Sequence, residues 1–358
     1  DPTSYTYKFD KWLNMNFRDV YNVDFKYLME DVEADMDYNL VPATYQNARD
    51  LALLTKYLWY DSYKELTGED FIKSYGPRVL HLVGSPAYNP NNGTETLGLA
   101  EGGLKVTLFK VNAMDLTDIN MMNEYYFRTM HHEFGHILHQ TKSYPTDFNL
   151  LSTGRYDDSS WQSRQPGVVA SQGFVTPYAS SQAREDFAET IANYITRTDD
   201  QMELILWMAQ RGWTTGVEKS DEDADDDDAV YYSYYYYDDP SKPETIKYFL
   251  NSLEHGHGQY RMGLEGMNGE YLTTVDEVED YLNKVRETMD IYPVEDKDNV
   301  NGYDVIMQKQ SIARNWFTDQ WKISFDELRK IVQRRQKDFN IELLRQEIEN
   351  IPVPSVSE

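Results

Sequence analysis

Apolar residues recur along this chain at two different spacings. In LALLTKYLWYDSYKEL, residues 51–66, Leu51, Leu54, Tyr57 and Leu58 fall on one side, which is the spacing of a helix. Arg78 to Gly84 (RVLHLVG) and Leu104 to Val111 (LKVTLFKV) read instead as short strands bounded by Gly and Pro clusters. Between them, Ser85 to Gly103 is a loop heavy in Asn, Gly and Pro. Two helices are predicted next. One runs from about Met121 to Gln140 and ends before Pro145; the other starts near Ser180, a cap after Pro177, and continues to about Arg197. The connection Thr141 to Ala179 is too long to be inert by ordinary loop lengths.

Elsewhere the pattern is weaker. Phe9 to Ala34 alternates aromatic and charged residues without a helical stripe. From Ser241 onward the chain reads mostly as amphipathic helices, with segments near Thr274 to Met289 and Phe325 to Glu349. No repeat of solenoid or propeller period is visible. The best apolar run, Leu204 to Ala209, is far short of the roughly 20 residues that span a bilayer. The expectation is an α+β catalytic region over residues 1–200 with a small mixed sheet beside the first of the two helices. A mainly helical C-terminal region over 201–358 follows it.

Composition narrows the function. With 358 residues, 40% of them apolar, the chain can bury a substantial core. Its net charge of −27 repels phosphate backbones and anionic headgroups, which argues against nucleic acid and against membrane binding by charge. The absence of cysteine removes disulfide scaffolds, thiolate zinc sites and cysteine nucleophiles. The chain begins at Asp1 without Met, so a processed form is expected, with any signal segment or lipid-bearing cysteine lost before this point. Residues Glu218 to Pro240 (EKSDEDADDDDAVYYSYYYYDDP) are expected to be a solvated insertion rather than a calcium site, because like charges at this density resist packing.

The informative string is TMHHEFGHILHQ, Thr129 to Gln140. It contains His132-Glu133-Phe134-Gly135-His136, the HExxH pattern. Residues four apart on a helix share a face, so two imidazoles there can converge on one zinc ion. Glu133 lies about 100° round the helix from His132. From there it can reach an attacking water as general base rather than act as a third ligand. Catalytic zinc takes three protein ligands, so one more is needed.

The next helix supplies candidates. Glu185 and Glu189 share a face at i and i+4, while Phe187, Ile191 and Tyr194 fall on a face suited to the core. Asp186 points away from the Glu185 face, and the small Ala188 and Ala192 permit close helix approach. One glutamate is expected to bind zinc and the other to hydrogen-bond a ligand histidine. Spacing alone does not choose between them.

A resemblance does choose. HExxH followed by a glutamate on a later helix resembles the gluzincin metallopeptidases. There the ligand Glu is followed four residues on by a second carboxylate that supports the metal site. This implies Glu185 as the third ligand and Glu189 as the supporting carboxylate. The lethal-factor-like branch is similar in HEFGH itself and in a Tyr seven residues before a Glu-x-x-Ala-Glu run, here Tyr178. The resemblance implies that Tyr178 stabilises the oxyanion or protonates the leaving amine.

In size, acidity and Tyr content the chain also resembles the substrate import-associated zinc metallohydrolase lipoproteins of Gram-negative bacteria. That likeness implies an exported, outer-membrane lipoprotein with a TonB-dependent import complex as partner. A zincin-like fold is part of the same expectation.

Among the other histidines, His131 is expected in a structural or rim role. His139, seven residues from His132 and on its side, touches substrate or ends the helix at the surface. His81 packs within its strand, and His255 with His257 form a Gly-rich loop. The stretch Gly102 to Val111 is expected to be the edge strand along which an extended peptide lies.

The function expected is a zinc-dependent metallohydrolase that cleaves peptide bonds in a peptide or protein substrate. The alternatives are a zinc hydrolase of a non-peptide amide or ester, and a non-catalytic binding lipoprotein that assists an importer.

Overall fold

The computed structural model describes residues 1–28, 40–88, 95–96, 98–101, 104–210, 212–217, 232–237, 246–247, 251–253, 263–265, 270–285, 293–294 and 300–354. The chain is mixed and helix-rich, with small parallel and antiparallel sheets. It divides into two compact units. One is built from residues 1–143 and 316–358, the other from 144–315.

The first unit holds a four-stranded sheet. Its strands are β1 (Asp24–Lys26), β2 (Val79–Leu82), β3 (Gly98–Glu101) and β4 (Lys105–Leu108), in the order β1-β2-β4-β3. The β1–β2 and β2–β4 pairings are parallel, and β3 runs antiparallel to β4. The second and fourth strands fall within the two runs read from sequence. The fourth, however, is interior to the sheet, so it is not the edge expected over Gly102 to Val111. The strand flanking it on that side is β3, placed there by a hairpin that folds back on β4.

Around this sheet, Tyr45–Leu54, Thr55–Tyr60 and Asp61–Thr67 form one continuous helical run with a wider turn in the middle. It starts at Thr44, whose side chain accepts from Asn47 N, and stops at Gly68, whose φ of 80° favours glycine. Trp59, Tyr60 and Tyr63 are buried along it. The N-terminal stretch also folds as helix, over Tyr7–Leu13, Asn14–Arg18 and Asp19–Tyr21. Its aromatic positions bury Phe9, Trp12, Phe17 and Tyr21, a core face that simple periodicity did not reveal.

The C-terminal helices Phe325–Asp338 and Ile341–Glu349 belong to this unit as well. Arg345 reaches the buried carboxylate of Asp50 at 2.7 Å, and Arg335 reaches Glu65 at 2.8 Å. These ion pairs join residues 295 and 270 positions apart in the chain.

The second unit packs Phe174, Leu204, Ile205, Trp207, Leu264, Val278, Tyr281 and Ile306 into its core. Here β5 (Gly212–Val217) pairs antiparallel with β6 (Tyr232–Tyr237), Gly212 opposite Tyr237 and Val217 opposite Tyr232. A region expected to be mainly helical thus contributes sheet, and residues 232–237 of the tyrosine run form a strand. The rest of the expected insertion, residues 218–231 and 238–240, lies outside the described residues, as do His255 and His257. No helix among the described residues is long and apolar enough to cross a membrane.

Candidate metal centre

The helix that carries HExxH is built from three joined pieces. Asp118 starts it, its carboxylate accepting from the backbone N–H groups of Asn120 and Met121. Ile119–Met122 and a wide turn at Asn123–Phe127 lead into Arg128–Thr141, so the element expected over 121–140 covers 119–141. One face of it is anchored in the aromatic core. The Phe134 ring packs against Trp59 at 5.0 Å, Tyr63 at 5.2 Å and Phe71 at 5.9 Å.

His131 is buried on this anchored side rather than at a rim. Its Nδ1 lies 3.0 Å from the Tyr63 hydroxyl, and burial pushes its pKa down to about 3, so the ring is neutral. On another side of the same helix, β3 comes very close. A Cβ added to Gly98 would stand 2.3 Å from Thr129 Cγ2, so only glycine permits this approach of strand to helix.

The face left over holds the histidine pair. His132 Nε2 and His136 Nε2 stand 3.1 Å apart, with ring centroids 4.7 Å apart at 82°. Two nitrogens bound to one tetrahedral zinc at roughly 2.0–2.1 Å would be about 3.3 Å from each other. The imidazoles are therefore already spaced as ligands of one cation. His136 Nδ1 in turn lies 2.9 Å from His139 Nε2, a neighbour at i+3 that the reading by i+7 spacing from His132 passed over. Glu133 is half-buried beside them.

In the second unit, Ala183–Thr196 carries the glutamates. Both Glu185 and Glu189 are buried. Glu185 Oε1 accepts from Arg184 Nε at 3.2 Å. Glu189 Oε2 accepts from the Thr176 hydroxyl at 2.6 Å and from Asn193 Nδ2 at 3.2 Å, and Asn193 Oδ1 accepts from Arg197 Nε at 2.7 Å. Asp186, the residue that points off the Glu185 face, is fully buried. It meets Lys309 Nζ at 2.6 Å and accepts from the Tyr156 hydroxyl at 2.8 Å.

Burial raises the Asp186 pKa to about 6, and lowers that of Lys309. Thr176, Asn193 and Lys309 carry no local motif, and only the fold reveals them. Tyr178 lies in the short turn Tyr178–Ser180, partly exposed, its ring 4.9 Å from that of Trp161. His132 and His136 in the first unit and Glu185 in the second each offer a ligand atom of a kind that suits a metal ion.

Residues 3–256 match a family model described as "Putative zinc-binding metallo-peptidase". The chain belongs to that family. It is also similar to a solved structure, a "putative zinc-binding metallo-peptidase" from Bacteroides caccae, at 32% identity. That likeness covers 98% of this chain and 97% of the other, with a TM-score of 0.60. No curated protein matches the chain. The matched region of this family member contains both the HExxH helix and the glutamate helix.

Proposed function

We propose that this protein is a zinc-dependent peptidase of gluzincin arrangement within a zincin-like fold, with His132, His136 and Glu185 as the metal ligands. The observation that carries the reading is the 3.1 Å separation of the two Nε2 atoms, at the spacing one cation requires, in a family described as zinc-binding. The donor set suits the ion: two neutral imidazoles and one carboxylate, leaving a position for substrate or water. A zinc ion held there polarises a peptide carbonyl and lowers the pKa of water.

The chain's own residues do the rest. Glu133 takes a proton from the attacking water and passes it to the nitrogen of the breaking C–N bond. Tyr178 donates its hydroxyl hydrogen to the charge growing on the carbonyl oxygen, as its likeness to the lethal-factor-like site suggests. Glu189, held by Thr176 and Asn193, is the supporting carboxylate that the gluzincin likeness implies. An outer-membrane lipoprotein location and a TonB-dependent import partner complete the proposal, on likeness of size and composition to the import-associated lipoproteins.

Zinc content of the purified protein tests the reading. About one equivalent is expected, lost in His132→Ala and in Glu185→Ala, together with cleavage of casein or peptides by the unaltered chain. A zinc-free protein, or zinc retained in both variants, overturns it.

A further inference from the structure

An imidazole that offers its Nε2 lone pair to a cation carries its proton on Nδ1. That N–H needs an acceptor, and the acceptor decides both the tautomer and the plane of the ring. In this chain His136 Nε2 faces His132 Nε2 at 3.1 Å, and His136 Nδ1 faces His139 Nε2 at 2.9 Å. The two rings of the second pair are steeply inclined, at 73° with centroids 5.1 Å apart. The 2.9 Å Nδ1–Nε2 contact is of hydrogen-bond length, with one nitrogen donating and the other accepting.

We infer that His139 is a positioning residue for His136. It accepts the Nδ1–H of His136 through its own Nε2, with its proton on Nδ1, and so holds the metal-facing nitrogen in register with His132. The inference rests on the metal-centre reading above. The helix also supplies the reason for the spacing: residues three apart are surface neighbours, so His139 follows His136 round the last turns of Arg128–Thr141.

The test uses the full chain and two substitutions that both suit a helix. His139→Leu removes the acceptor, and His139→Gln replaces it with a side-chain carbonyl. Zinc affinity is measured by competition with a chelator, and the geometry by the visible spectrum of the cobalt-substituted protein. His139→Leu is expected to weaken zinc binding by about 10- to 100-fold and to shift the cobalt bands. His139→Gln is expected to recover most of both.

A leucine variant that binds zinc as tightly as the unaltered protein overturns the inference. So does a glutamine variant no better than leucine. His136→Ala, run alongside, separates the two claims. If it loses zinc while His139→Leu does not, only the positioning role falls; if it keeps zinc, the metal-centre reading falls with it.

Discussion

Lys309 Nζ stands 2.6 Å from Asp186 Oδ2, with both side chains shut away from solvent, one residue along from Glu185. Lys309 also donates to Gly173 O at 2.7 Å, and the Tyr156 hydroxyl donates to the same carboxylate. The pair ties the start of the glutamate helix to the helix Gly302–Trp316 within one unit.

Breaking such a pair from one side leaves a buried charge without its partner. Asp186→Ala and Lys309→Met are each expected to destabilise the protein by about 3–5 kcal/mol. The double variant should lose clearly less than their sum. Chemical denaturation of the three variants checks this; strict additivity would show that the two groups do not act together.

The anchoring of the HExxH helix predicts a second effect. Phe134 is buried among Trp59, Tyr63 and Phe71, so Phe134→Ala opens a cavity in the middle of the helix's packed face. A loss of about 3–5 kcal/mol is expected by thermal or urea unfolding. A value below about 1 kcal/mol would mean the ring is not packed as described.

Gly98 permits a specific test of strand-to-helix fit. Gly98→Ala sets a methyl against Thr129 Cγ2 and should cost about 1–3 kcal/mol through overpacking. Thr129→Ser removes that methyl, so Gly98→Ala in the serine background should cost markedly less. Equal costs in both backgrounds would sink the steric account.

Glu133→Gln keeps the size of the side chain and removes its basicity. Zinc content should stay at the unaltered level while turnover falls at least about 100-fold. Activity that persists would remove Glu133 from the base role, and loss of zinc would point to a structural one.

A pH effect is expected far from the metal. Glu277 accepts from the backbone N–H groups of Thr273 and Thr274, and Thr274 caps the same helix in return. These bonds hold the Glu277 pKa below its ordinary 4.5. A lowered carboxylate adds stability above its unfolded-state value, and that contribution is lost as pH falls through the folded-state value. Loss of these capping bonds in Glu277→Ala, at an exposed position screened by solvent, should cost up to about 0.5 kcal/mol at pH 7, and less below pH 4. A difference independent of pH would contradict the assignment.

The parts of this architecture that are legible in the sequence are those written in short spacings. His132 and His136 are four apart, and the runs around Val79–Leu82 and Lys105–Leu108 are short apolar stretches bounded by Gly and Pro clusters. What the sequence hides depends on distant partners. Arg345 finds Asp50 only after nearly the whole chain has folded, and Lys309 meets Asp186 across more than 100 residues. The hairpin that makes β4 an interior strand is likewise a pairing choice, since a strand run does not state what lies on either side of it. The i+3 relation of His139 to His136 is also written in the spacing, whereas the contact it makes there is a matter of side-chain rotamers.

The first unit is written in two instalments, residues 1–143 and 316–358, with 144–315 intervening. On the ribosome, the HExxH helix emerges long before Trp316, Trp321 and the arginines that meet Glu65 and Asp50. Its unit can close only once residues 316–358 have been made. The helix that carries HExxH therefore waits for residues about 180 positions downstream before its own unit can be completed.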